Sequence, residues 1–258
     1  MLKVQKRYSS FNLGWFELHA VDHCNLRCNG CNHHSWMLKK AEYKAEDYFP
    51  HIDEMLRRNI NFDTIGILGG EPFLHSDISN FVLSIKNRYK KKVTLTTNGF
   101  WLRKDWKKYH EMFSILSDMW ISIYNPIEKS IGRDKMISEI NQIKQMYSNM
   151  NVTLRDHITH FIELKFTSEP EKPTSFCHAQ GNCTNLMPDG RLARCGVGAY
   201  ADKNPEATKE FLNNLDDLFY DLTIDDGKSF EEWKTKFPLR SCDYCTMWKN
   251  KSIPWQMR

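Results

Sequence analysis

Between Trp15 and Phe166, short apolar runs alternate with longer amphipathic ones. Trp15–Val21, Phe62–Leu68, Lys92–Thr97 and Met119–Tyr124 have the length and the β-branched or aromatic content of strands. Tyr43–Arg58, Ile78–Tyr89, Asp105–Leu116 and Lys129–Met146 read as helices; in the first, Tyr48, Ile52 and Met55 fall at helical spacing. Val152–His157 and Phe161–Phe166 read as two further strands. Such a strand–helix order predicts parallel strands, because each crossover returns the chain to the same edge of the sheet.

The predicted strands share one property. Phe16, Leu18 and Ala20 alternate with Glu17 and His19, and Ile121 and Ile123 alternate with Trp120, Ser122 and Tyr124. Val152 and Leu154 alternate with Thr153, Arg155 and His157, and Ile162, Leu164 and Phe166 alternate with Glu163 and Lys165. Parallel strands covered on both faces are nearly all apolar, whereas these have one apolar and one polar face. A barrel satisfies the pattern when helices cover the outside and the lumen holds a polar ligand; an open sheet with one wet face is the plainer alternative. Thr167–Ser175, with Pro170 and Pro173, reads as a linker. Beyond it, Leu186–Met187, Pro188–Asp189–Gly190 and Arg191–Ala193 predict a hairpin with an Asp-Gly turn, followed by helix around Glu210–Leu218. The expected division is 1–167 and 168–258.

Composition narrows the class. The chain has 258 residues and a mild net charge of +4. Lys86–Lys92 and Arg103–Lys108 are basic clusters that read as the wet faces of two helices rather than a polyanion site, so no nucleic-acid partner is expected. No apolar run of about 18 residues suggests a membrane span. Met1–Ser10 lacks an apolar signal core, which makes a cytoplasmic location the expectation.

The eight cysteines change the picture most. They form two groups, Cys24, Cys28 and Cys31, then Cys177, Cys183, Cys195, Cys242 and Cys245. Clustered cysteines in a chain without a signal more often bind metal or do redox chemistry than form a disulfide scaffold. Three thiolates within eight residues suit a [4Fe–4S] core, which normally takes four cysteines and would keep one open iron here. A zinc site completed by His23, His33 or His34 is the competitor.

The spacing C-x3-C-x2-C resembles the motif of the radical S-adenosylmethionine (SAM) superfamily, placed as there after the first barrel strand. Gly69-Gly70-Glu71-Pro72 after the second strand resembles the family's segment for the SAM amino group, and Thr96-Thr97-Asn98-Gly99 ends the third strand as in many members. The three segments stand in order at successive strand ends, where barrels place chemistry. The resemblance covers roughly residues 12–166 and implies an α/β fold, a partial (β/α)6 TIM-like barrel. It further implies a SAM-binding [4Fe–4S] cluster, reductive cleavage of SAM, a 5′-deoxyadenosyl radical that takes a hydrogen atom from substrate, and an external electron donor such as flavodoxin or ferredoxin. On this basis Gly69, Gly70, Glu71, Asn98 and Ser122 are candidates for SAM, with Ser122 toward the ribose. Glu17, His19 and Arg155 are the candidate catalytic residues; Arg155 alternatively pairs with the SAM carboxylate. One departure is Gly30, where the family often has an aromatic residue near the adenine; Trp36 is a candidate replacement.

Cys177, twelve residues, Gly190, four residues, Cys195, then Cys242-Asp243-Tyr244-Cys245 resembles the Twitch domain, a shortened SPASM-like unit around an auxiliary [4Fe–4S] cluster. Structural zinc is the alternative for these four; Cys183 is left over as a buried thiol or alternative ligand. The resemblance implies a small C-terminal α+β domain and an oxidoreductase-type enzyme acting on a small polar substrate (a sugar, aminocyclitol or nucleoside-like molecule) by dehydrogenation or epimerisation, with the auxiliary cluster handling the electron. A peptide-modifying maturase is the second reading, although no peptide-recognition segment is expected ahead of Cys24. A glycyl-radical activase is a third, and a non-catalytic metal-binding module the blandest.

Overall fold

The computed structural model describes residues 8–156, 158–179 and 183–257. Its main sheet contains β1 (Trp15–Val21), β2 (Thr64–Gly69), β3 (Lys92–Thr97), β4 (Asp118–Ser122) and β5 (Asn151–Arg155), each parallel to the next. The crossovers carry α1 (Phe49–Arg57), α2 (Ile78–Tyr89), α3 (His110–Ile115) and α4 (Arg133–Met146). The expected α/β fold with a mostly parallel sheet is therefore present, and its polar inner face is compatible with a partial barrel.

The sixth strand is not where the sequence placed it. His160–Ile162 pairs antiparallel with Ser252–Pro254 in a separate two-stranded ribbon, and Phe166 makes an isolated bridge to Cys245. The parallel partner on the far side of β1 is instead β6 (Asn185–Leu186), with Glu17 opposite Asn185 and Leu18 opposite Leu186. From there the sheet continues antiparallel through β7 (Arg191–Ala193) to β8 (Phe219–Asp221). The β6–β7 turn is the predicted hairpin: Gly190 adopts φ 90°, and its N–H donates to the Met187 carbonyl at 3.0 Å. One hydrogen-bonded ladder thus joins the two halves of the chain. The end of the strand predicted at Val152–His157 falls on His157, outside the described residues.

The apolar strand faces form the core. Phe16, Leu18, Ile65, Ile67, Val93, Leu95, Met119 and Ile121 are fully buried against Ile52 and Met55 of α1, Phe81, Val82 and Ile85 of α2, Met112 and Phe113 of α3 and Met136, Ile140 and Ile143 of α4. Helix boundaries follow local chemistry. The expected Tyr43–Arg58 helix starts only at Phe49, preceded by a 3-10 turn at Ala45–Asp47; deeper inside a helix, Pro50 would lack a hydrogen bond and strike the Glu46 carbonyl. Asp77 caps α2 by accepting from the Asn80 N–H at 3.1 Å, a contact worth about 1 kcal/mol. Gly132, at φ 91°, divides the Lys129–Met146 prediction into Asn125–Ile131 and Arg133–Met146. Asp105–Leu116 opens as a 3-10 turn before α3, and Glu210–Leu218 keeps only the turn Lys209–Leu212 as helix.

The lumen has an aromatic floor. Trp15 stacks on Trp120 at 5.6 Å between ring centroids, 9° from parallel. Gly66 leaves the space for this ring, since a Cβ there would lie 2.3 Å from the Trp15 indole.

Candidate active site

The polar strand faces open into a cavity of about 990 Å³, lined by Cys24, Cys28 and Cys31, by Gly69–Glu71 and Thr96–Asn98, and by Glu17, Ser122 and Arg155. This is the upper end of the roughly 300–1,000 Å³ typical of ligand pockets. The three thiols are free, and the loop that carries them is held by its own backbone: Leu26 N–H points to Cys24 Sγ at 3.4 Å, and His34 N–H donates to the Cys31 carbonyl at 3.1 Å.

The Gly69–Glu71 segment is stitched to that loop. Gly70 N–H donates to Val21 O at 2.9 Å and Glu71 N–H to His23 O at 3.0 Å. A Cβ on Gly70 would lie 1.7 Å from the His23 carbonyl oxygen, and one on Gly69, at φ 121°, would lie 2.1 Å from the Val21 oxygen. Both glycines are thus required by the cysteine loop itself, a reason the sequence did not disclose.

Glu71 is almost fully buried and accepts from Thr97 Oγ1 at 2.7 Å, Asn98 N–H at 2.7 Å and Phe73 N–H at 3.2 Å. Desolvation outweighs these donors and lifts its carboxyl to about 7. Asn98 works inside the protein: its Nδ2 donates to Asn25 Oδ1 at 2.8 Å and its Oδ1 accepts from Phe100 N–H at 2.9 Å, tying the third strand's end to the cysteine loop. Ser122 is buried on the cavity wall, and the Arg155 guanidinium lies 4.5 Å from the Trp120 ring centroid.

The three catalytic candidates separate. Glu17 faces the cavity, accepts from Asn185 Nδ2 at 3.1 Å and stands 3.6 Å from His33 Nε2. Arg155 also lines the cavity. His19 does not: it is fully buried, stacked on Tyr200 at 4.2 Å and 3.0 Å from Asp22 Oδ1. Burial lowers its pKa to about 4. The lumen face of β1 is covered there by a residue 181 positions later in the chain. His33, which the sequence reading weighed only as a zinc ligand, lines the cavity, as does His178, and its buried Nε2 lacks a hydrogen-bond partner among the described residues. His34 is turned away, paired with Val197 O at 3.0 Å and Asn204 Nδ2 at 3.1 Å.

At Gly30, with φ 80°, a Cβ would lie 3.0 Å from Ile162 O and 3.7 Å from Phe161. Phe161 and Tyr124 supply aromatic surface to the cavity, whereas Trp36 lines a separate small pocket with Gly30, Cys31 and His34. This corrects the expected replacement.

Cys177, Cys195, Cys242 and Cys245 meet in one small apolar pocket with Val197, Phe211, Leu218 and Trp248. Burial pushes the Cys195 thiol up to about 11, Cys242 to about 12 and Cys245 higher still. Cys183 faces the large cavity rather than this pocket. Among the described residues no three His, Cys, Asp or Glu side chains converge as a single-ion site requires; each thiol group instead lines a cavity together. Grouped thiol donors fit iron–sulfur cores, whose ligands are thiolates, and loading would displace the thiol protons. No helix of the described residues is long and apolar enough to cross a membrane.

Residues 20–133 match the Radical SAM superfamily. Over 91 residues the chain is 31% identical to a probable GTP 3′,8-cyclase of Methanococcus vannielii, covering 34% of this chain and 30% of that protein. It is 24% identical over 139 residues to the putative peptide biosynthesis protein YydG of Bacillus subtilis, covering 53% of this chain and 43% of that protein. The chain therefore spans less than half the length of these relatives. Among solved structures, BtrN in complex with AdoMet and 2-DOIA aligns at 10% identity over 91% of this chain and 86% of that chain, with a TM-score of 0.48. Streptococcus suis SuiB bound to S-adenosylmethionine aligns at 14% identity over 91% and 68%, with a TM-score of 0.40. The matched span begins at the end of β1 and carries the cysteine loop, the Gly69–Glu71 stitch and the Thr97–Asn98 anchor, so the part of the chain that builds this site is similar to the radical SAM superfamily.

Proposed function

We propose that this chain is an oxidoreductase-type radical SAM enzyme that dehydrogenates or epimerises a small polar substrate such as a sugar, aminocyclitol or nucleoside-like molecule. The observation that carries the reading is one cavity holding Cys24, Cys28 and Cys31 together with a buried carboxylate, a serine, an arginine and an acid–imidazole pair. A bound [4Fe–4S] cluster and SAM would supply the radical chemistry that removes a hydrogen atom from substrate. Cys24, Cys28 and Cys31 would hold that cluster. Glu71, which has no cationic partner among the described residues, suits the SAM ammonium, and Ser122 its ribose. Glu17 beside His33 is placed to hold or move a proton at Glu17 Oε2, and Arg155 to neutralise an anionic group at the cavity wall. Residues 168–258 form the proposed auxiliary unit, in which Cys177, Cys195, Cys242 and Cys245 would fully ligate a second cluster. An electron donor such as flavodoxin or ferredoxin completes the system.

A peptide substrate is the second reading, favoured by the similarity to YydG over 53% of this chain. The test is anaerobic incubation with dithionite and SAM. 5′-Deoxyadenosine should form, and should disappear when Cys24, Cys28 and Cys31 are all changed to Ala; product from that variant would overturn the reading. Deuterium transfer from labelled polyols, nucleosides or peptides into 5′-deoxyadenosine then separates the substrate classes.

A further inference from the structure

Residues 252–257 lie across the cysteine loop. Ser252–Pro254 pairs with His160–Ile162, Trp255 N–H donates to Thr159 O at 2.7 Å, and Asn29 N–H donates to Gln256 O at 2.8 Å. Cys28 itself bridges Met257. This strap delivers the Trp255 indole beside Cys28, its ring held against Tyr124 at 5.3 Å between centroids. The indole Nε1 is buried and has no hydrogen-bond partner of ordinary geometry. A buried N–H is stabilised by an acceptor close at hand. Its neighbour is the Cys28 sulfur.

We propose that Trp255 is a positioning residue that donates its indole N–H to the Cys28 thiolate once that sulfur ligates the cluster. The inference rests on the cluster assignment made above. An N–H donor stabilises the electron-rich reduced cluster more than the oxidised one, and hydrogen bonds to the sulfurs are among the determinants of such potentials. Trp255 therefore raises the potential at which the SAM-site cluster accepts its electron, while the strap fixes the loop that holds it.

The experiment is an EPR-monitored redox titration of wild-type and Trp255→Phe protein, with the SAM-site cluster identified by its spectral response to SAM. Phe keeps the ring and removes the donor. The expected result is unchanged iron and sulfide content with a midpoint shifted to more negative potential. An unchanged midpoint in a fully loaded variant would overturn the inference while leaving the cluster assignment intact; a wild-type protein without a SAM-responsive cluster would overturn that assignment instead. If Trp255→Phe fails to load, wild-type protein with ¹⁵N-indole tryptophan decides the matter. A ¹⁵N coupling to the reduced SAM-site cluster, accompanied by an exchangeable proton, supports the donor, and its absence refutes it.

Discussion

Glu71 sits near 7 because burial outweighs three hydrogen-bond donors, so it is roughly one-tenth ionised at pH 6 and nine-tenths ionised at pH 8. If only the carboxylate engages the SAM ammonium, apparent affinity scales with that fraction, and SAM should bind about tenfold more weakly at pH 6 than at pH 8. The sign is definite: a raised carboxyl loses its charge on acidification, so affinity falls as pH drops through 7. Glu71→Gln keeps the size and removes the titration. At pH 8 it should weaken SAM binding by about 1.5–3 kcal/mol, the range for a hydrogen bond to a charged group. SAM has its own titrating amine, but that contribution is common to both proteins, so the ratio of their dissociation constants isolates Glu71. Anaerobic equilibrium dialysis of the cluster-loaded proteins at pH 6, 7 and 8 measures it. A ratio that stays flat across this range, or a Gln variant that binds SAM as tightly as wild type at pH 8, would refute the pairing.

Gly70→Ala should lose about 1–3 kcal/mol of stability and fail to load iron, because the new Cβ meets the His23 carbonyl rather than a movable side chain; denaturant melts and iron assay check both. Cys242→Ala should keep 5′-deoxyadenosine formation, stop substrate turnover and lower iron from about eight to about four per chain; full iron content would exclude the second cluster. His19 is held neutral by burial, with a pKa lowered from 6.5 to about 4, so the unfolded chain binds the extra proton between those values. Its contribution of about 3 kcal/mol is therefore present above pH 6.5 and lost as pH falls toward 4. His19→Gln should flatten that part of the stability profile in urea titrations while SAM cleavage persists, and loss of cleavage in a folded variant would restore His19 to the catalytic set.

The first four strands were legible because each is long enough for alternation to show, and the cysteine loop because its spacing is local. The misplacements have physical causes. Asn185–Leu186 and Phe219–Asp221 span only two and three residues, too short for a period. Phe161–Phe166 alternates like a strand, but its partners lie near residue 250, and separation along the chain conceals pairing. The Pro50 and Gly132 breaks were readable in principle, since a proline or glycine inside an amphipathic run marks a boundary. Glu17 and His19 share one strand face, yet only Glu17 reaches the cavity because Tyr200 covers the other, a tertiary fact with no local signal. His33 was visible as a residue, but its place 3.6 Å from Glu17 depends on how the cysteine loop folds back over β1.

Strand β1 is bonded to β2 on one edge and to Asn185–Leu186 on the other. The two sulfur nests therefore hang from a common backbone rail rather than from bodies joined by a hinge. Any electron passing between them would cross a gap whose length is set by covalent geometry and ladder register. Slipping that register by one residue would turn Asn185 away from Glu17 and shift the far nest by a whole pleat, so a change at this seam should be felt at both ends of the molecule at once.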